Sequence, residues 1–162
     1  MSSIALPTPT HPRGLVASLT STSASPVFTI LRLALAIVVF PHGAQKLLGW
    51  FGGWGFDGTM SWFASIGVPA FLGILAIAAD FGGSLALAAG IGTRVAAFGI
   101  GMNMFVATLL VHRANGFFMN WSGTQKGEGF ELHILAFAMA LALVIGGAGR
   151  LSIDRLIAKK EN

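Results

Sequence analysis

The chain has 162 residues, of which 54% are hydrophobic and 10% charged, with a formal net charge of +4. An ordinary soluble domain carries roughly 25% charged residues, so this chain cannot clothe a water-facing surface, and several almost uncharged stretches approach the ~20 residues of a membrane span. Cysteine is absent, which excludes disulfides, thiolate nucleophiles and Cys-ligated zinc or iron–sulfur centres within the chain.

Residues 1–26, "MSSIALPTPTHPRGLVASLTSTSASP", are rich in Ser, Thr and Pro and are expected to form a flexible cytoplasmic tail. "GLVASL" is too short for the apolar core of a signal peptide and is expected to lie as a brief interfacial turn. The first span runs from Val27 to about Leu48. Within it Pro41 removes one backbone hydrogen bond, frees the carbonyl of Ile37 and opens space at His42. The loop from Gly49 to Val68 carries Trp50, Trp54 and Trp62 among other aromatics. Trp favours the membrane interface, and "TMSWFASIG" reads as a short helix lying in it.

The second span opens at Pro69, a favoured first helical position, and ends at Gly90. "IGT" is a tight turn that makes the second and third spans antiparallel neighbours. The third span is Thr93 to Asn115, a second aromatic loop runs from Gly116 to Phe130, and the fourth span is Glu131 to Gly149. Glycines inside the spans permit close helix packing in a bilayer. The expected fold is all-α: an integral-membrane four-helix bundle over residues 27–158, with short interfacial helices in the long outer loops and a basic tail end at 159–162. Arg13, Arg94, Arg150, Arg155, Lys159 and Lys160 fall on the side of the termini and the tight turn. The positive-inside rule therefore places both termini in the cytoplasm. These cations serve topology and lipid headgroups rather than nucleic acid.

Ionisable groups at bilayer depth are costly and should face the bundle interior or a wet cavity. His42, Gln45 and Lys46 are spaced i, i+3, i+4 and share a helix face. Lys46 could alternatively snorkel to headgroups, and His112 could be merely interfacial. Asp80 is mid-span, roughly 16 Å below Pro69 at the helical rise, with no surface in reach, and pairing with Lys46 or His42 would satisfy it. Glu131 and His133 lie about 200° apart around their helix, and of the two Glu131 is taken as the inward one. Asn103 lies opposite His112 by the same reckoning and is left out. Arg32 is expected to reach the cytoplasmic surface, on lipid phosphate or a carboxylate such as Asp154. The candidate pocket is thus His42, Lys46, Asp80, His112 and Glu131. Its chemistry fits a quinone, whose carbonyls need donors and whose reduction takes up protons, or a proton or solute path. No H-E-x-x-H or comparable helical metal signature is present, so no metal ligand is assigned.

The ordered pieces "RLALAIVVFPHGAQKLLG", "GVPAFLGILAIAADFGGSLALAAGIGTRVAA", "GFFMNWSGTQKGEGFELHILAFAMALAL" and "GGAGRLSID" resemble the DoxX family of bacterial inner-membrane proteins. The resemblance covers nearly everything from Leu31 to Asp154. It implies a four-helix, multi-pass inner-membrane protein linked to quinone-dependent oxidoreductases. It maps a functional His-Gly-x-x-Lys stretch onto His42, Gly43 and Lys46, and a mid-span acid, more often Glu, onto Asp80. Arg94, Arg150 and Asp154 map onto motifs at the cytoplasmic ends, where a structural role is expected. The expected partners are the lipid bilayer, redox subunits and a second copy of the chain. The rival expectation is a non-catalytic scaffold or a small-solute or proton transporter.

Overall fold

A computed structural model describes residues 14–160. Residues 1–13, with Arg13, and 161–162 lie outside the described residues. Seven α-helices follow in order: α1 (Leu15–Thr20), α2 (Pro26–Leu48), α3 (Gly55–Ser65), α4 (Ala70–Ala89), α5 (Thr93–Ala107), α6 (Glu131–Gly146) and α7 (Ile153–Lys160). No strand occurs among the described residues. Short turns of tighter or wider helix add to these. A 3-10 turn occupies Trp50–Gly52, and α5 passes into a π-helical turn at Thr108–His112 and a 3-10 turn at Arg113–Asn115.

Three segments are long and apolar enough to cross a membrane: Pro26–Leu48, Ala70–Ala89 and Thr93–Asn115. The fourth expected span is shorter than its sequence pattern. α6 has 16 residues, a length of about 24 Å against the ~30 Å of a hydrocarbon core. It stops where Gly147 adopts a φ of +76°, a conformation no helix can continue. The other ends follow equally local rules. Ser25 caps α2 by accepting from the Val27 N–H (3.2 Å). α2 continues through Pro41 to Gly49, which is left-handed. Pro69 precedes α4 as its extended cap rather than starting it.

α2 packs on α4 and α6, and α5 packs on the same two helices. Their shared core is Leu35, Ala36, Val39, Leu87, Ala97, Ile100, Ala136, Ala140 and Leu143. Small residues sit at the closest approaches. A Cβ on Gly43 would overlap the backbone of Asp80 and Phe81, and one on Gly101 would press on Ala140. Outward faces stay apolar: Ile37, Leu75, Phe98 and Ile145 are 72%, 59%, 60% and 70% exposed. That is the reverse of a soluble protein and suits hydrocarbon as solvent.

The end that carries the α4–α5 turn is closed by charged side chains used as caps. Arg32 is 2% exposed and does not reach the surface, correcting the sequence expectation. Its guanidinium donates to the carbonyls of Ala148 (3.1 Å), Leu87, Ala88 (2.8 Å) and Leu151 (2.5 Å). These carbonyls lie in the last turn of α4 and just beyond α6, where intrahelical donors run out and the dipole favours a cation. Asp154, 1% exposed, accepts from the N–H groups of Gly92 (2.8 Å) and Thr93 (2.9 Å), which caps the start of α5. Arg94 donates to Val144 O and to Ser21 O (3.1 Å). Arg150 is exposed at the same end.

Residues 14–25 are tied into this end. The Ser23 N–H donates to Gly146 O (3.0 Å), and the Gly149 N–H to Thr22 Oγ1 (2.7 Å). Ser152 accepts from the Arg155 N–H (3.3 Å) and so caps α7.

Replacing Arg32 by Leu strips several buried carbonyls of their donor at once. Arg32→Leu is expected to destabilise the fold by about 2 kcal/mol, read as a lower midpoint in SDS titration of the detergent-solubilised protein. An unchanged midpoint would show that these carbonyls find other donors.

Candidate functional site

The site begins with a glycine. Gly43 lets the α2 backbone touch the α4 backbone at Asp80 and Phe81, and this fixes the register of the two helices. Asp80 therefore stands level with Gly43. One turn beyond His42 on the same face of α2, Lys46 forms an ion pair through Nζ with Asp80 Oδ2. From the other side of α4, Asn103 Nδ2 on α5 donates to Asp80 Oδ1 at 2.7 Å. Both carboxylate oxygens are thus engaged, by two different helices, while Asp80 is 0% exposed.

Asn103 is the functional candidate that helix-face reasoning discarded. Asp80 and Asn103 stand within one residue of the same distance in sequence from Ile91 in the middle of the α4–α5 turn, so an antiparallel hairpin brings them abreast. The exclusion assumed that α5 stays regular as far as His112. The π-helical turn at Thr108–His112 winds less per residue than an α-helix, so the angular relation between Asn103 and His112 is lost there.

The same turn delivers His112 to α6. The rings of His112 and His133 lie 3.9 Å apart between centroids, tilted by 39°. His112 Nδ1 is 2.9 Å from Glu128 O. A carbonyl can only accept, so Nδ1 carries the proton. His42 is exposed on the isolated chain, within electrostatic reach of Lys46, Asp80 and His112. His133 feels the charges of His112, His42, Lys46 and Asp80. Three imidazoles, one ammonium, one carboxylate and the amides of Gln45 and Asn103 therefore lie between the middle of the helices and their loop-side end.

Glu131 does not join them. Its Oε2 accepts from the Met119 N–H at 3.3 Å, so the carboxylate faces the second aromatic loop. The choice of Glu131 over His133 is thereby reversed. The reason is local: the loop closes on the start of α6 through Phe130 N–H to Gly116 O (3.2 Å) and Glu131 N–H to Phe117 O (2.9 Å). Glu131 consequently finds backbone donors nearby before it could reach the helix interior. Arg94, Arg150 and Asp154 lie at the opposite end of the helices. Among the described residues no group of three or more His, Asp or Glu could hold a metal ion.

The first loop roofs the site. Thr59 Oγ1 on α3 donates to Lys46 O at 3.1 Å, and Gly53 packs against the Gln45 backbone. A recess of about 300 Å³ remains between Gln45, Lys46, Gly52, Gly53, Trp54 and Thr59, so the partly exposed Lys46 lines an opening.

The model of the DoxX family matches residues 27–113. The chain belongs to the DoxX family. It is 34% identical over 131 residues to the Escherichia coli (strain K12) protein named "Inner membrane protein YqjF", covering 81% of this chain and 92% of that one. It is 25% identical over 130 residues to the Bacillus subtilis (strain 168) protein named "Putative oxidoreductase CatD", covering 80% and 86%. No solved structure matches. This DoxX chain is a membrane protein with an all-helical fold. The DoxX match contains His42, Lys46, Asp80, Asn103 and His112, whereas His133 lies beyond it.

Removing one partner of a buried ion pair leaves an uncompensated charge, whereas neutralising both is tolerated better. Lys46→Met is expected to cost about 2 kcal/mol in the same SDS titration, with most of that loss recovered in the Lys46→Met/Asp80→Asn double variant. Strictly additive losses would mean that the two groups do not interact.

Proposed function

We propose that this DoxX protein is an inner-membrane subunit of a quinone-linked redox system, binding its ligand at the loop-side end of the helices. The observation that carries this reading is the buried Asp80 carboxylate, held by Lys46 and Asn103 from two neighbouring helices, with His42 and His133 within reach of its charge. Intramembrane ionisable clusters of this kind mark ligand or proton sites. The membrane assignment is supported by the resemblance to an inner-membrane protein, and the redox assignment by the resemblance to a protein named an oxidoreductase. In this reading α6 is the fourth crossing, its shortness offset by the loop that continues it, and both termini are cytoplasmic under the positive-inside rule.

A quinone suits the donor set. Its ring partitions into lipid, its carbonyls accept hydrogen bonds, and its reduction requires protons along with electrons from a partner subunit. Lys46 and the imidazoles would donate to the carbonyl. Asp80 would hold Lys46 in place, since a paired ammonium is confined where a free one would extend toward headgroups. The histidines, whose ordinary pKa lies near neutrality, would carry protons from the loop surface inward.

The test is binding of decylubiquinone to the purified full-length protein in nanodiscs, followed by quenching of the loop tryptophans. Saturable binding is expected, weakened about tenfold by His42→Ala and by Asp80→Asn, with circular dichroism confirming that the variants stay folded. Absence of saturable binding, or full-strength binding in both variants, overturns the reading. An obligatory partner co-purifying without any quinone would instead favour the scaffold.

A further inference from the structure

We infer that His133 is the ligand-contacting residue of this site and that its Nδ1 is the atom that bonds the ligand oxygen, an inference that rests on the quinone reading above. The first support is an orphan. His133 Nδ1 is buried with no hydrogen-bond partner among the described residues, whereas buried polar atoms in native folds are nearly always paired. The contact with His112 does not satisfy it. A tilted ring contact with centroids 3.9 Å apart engages ring faces, while the nitrogen lone pair or N–H lies in the ring plane, enclosed and unpaired, so a ligand oxygen reaches it when a covering side chain moves aside.

The second support is how much local structure is committed to this pair. Glu131 is anchored outward on the Met119 N–H, and His133, about 200° further round α6, is thereby turned toward α5. The α5 segment departs from α-helical winding over Thr108–His112, where His112 meets it. π-turns of this kind recur at functional sites. His112 is then locked by Glu128 O (2.9 Å), which also accepts from Asn115 Nδ2 (3.0 Å). A histidine with only a packing role would not need its neighbour fixed in tautomer and place.

The third support is position. His133 lies within electrostatic reach of His42, Lys46 and Asp80, so the orphan nitrogen belongs to the same polar cluster. Imidazole also fits the ligand class in both states. As an N–H donor, Nδ1 bonds a quinone carbonyl; as a lone-pair acceptor in the other tautomer, it bonds a quinol hydroxyl. A lysine or a carboxylate at this position would serve one state only.

The experiment exploits amide mimicry. The Asn side chain places a hydrogen-bonding group near the Nδ1 position, and Gln places one near Nε2. Decylubiquinone titrations of the full-length protein in nanodiscs are compared for wild type, His133→Ala, His133→Asn and His133→Gln, with SDS midpoints measured in parallel. The expected result is binding weakened about tenfold in the Ala and Gln variants and retained within about threefold in Asn. Equal binding in all four overturns the assignment of His133 and leaves the quinone reading standing. Equal loss in Ala, Asn and Gln overturns the Nδ1 contact in favour of ring packing alone. A wild type that binds no quinone overturns the underlying reading instead.

Discussion

A carboxylate in the middle of a hydrocarbon-length helix must be answered from inside the protein, and Asp80 is answered on both oxygens by Lys46 and Asn103. Much of the loop-side architecture follows from that demand. The ammonium must come from a helix close enough to reach, which requires the Gly43 contact between α2 and α4. The amide must come from the other neighbour of α4, which the short α4–α5 turn supplies. Because the environment is weakly polarisable, these interactions are stronger than they would be in water, and so is the cost of leaving one unmade. The cluster therefore fixes the mutual register of three helices as well as presenting Lys46 to the recess beneath the first loop.

The two ends of the molecule use charge differently. At the turn end, Arg32, Arg94 and Asp154 are consumed in capping: the arginines meet helix carbonyls and the aspartate meets helix N–H groups. These charges complement helix dipoles, and little of their hydrogen-bonding capacity remains for a ligand. At the loop end, by contrast, Lys46 is partly exposed, His42 is exposed, and His133 keeps an unpaired nitrogen. The turn end spends its charges on holding helix ends, although buried Thr93 Oγ1 and Arg155 Nη1 remain unpaired there among the described residues.

Irregular winding has a place in the same division. The π-helical turn at Thr108–His112 and the left-handed Phe51, with a φ of +53°, both fall at the loop end. Departures from regular geometry persist where surrounding contacts hold them and cluster at functional positions. Here the first carries His112 onto His133, and the second shapes the turn whose carbonyl accepts from Gln45 Nε2 at 3.3 Å.

Composition and run length by themselves determined that this is a membrane protein built of apolar helices, because no arrangement of so few charges could cover a water-facing surface. Glycine and proline positions marked most of the helix ends, since those residues act through their own backbone. The sequence also narrowed the partner of Asp80 to Lys46 or His42, because a mid-span carboxylate needs a cation and few were in reach, and the fold chose Lys46. Three decisions belonged to tertiary structure. Arg32 turned inward because carbonyls at the end of α4 and in the α6–α7 link, left without intrahelical donors, accept from it. Asn103 meets Asp80 because the short α4–α5 turn brings the two helices abreast, a pairing that a comparison with His112 on its own helix could not report. His133 displaced Glu131 because the closing loop claimed the carboxylate first. Each depends on a neighbour distant in sequence, or on a local change of winding, and no periodicity within a single helix reports either.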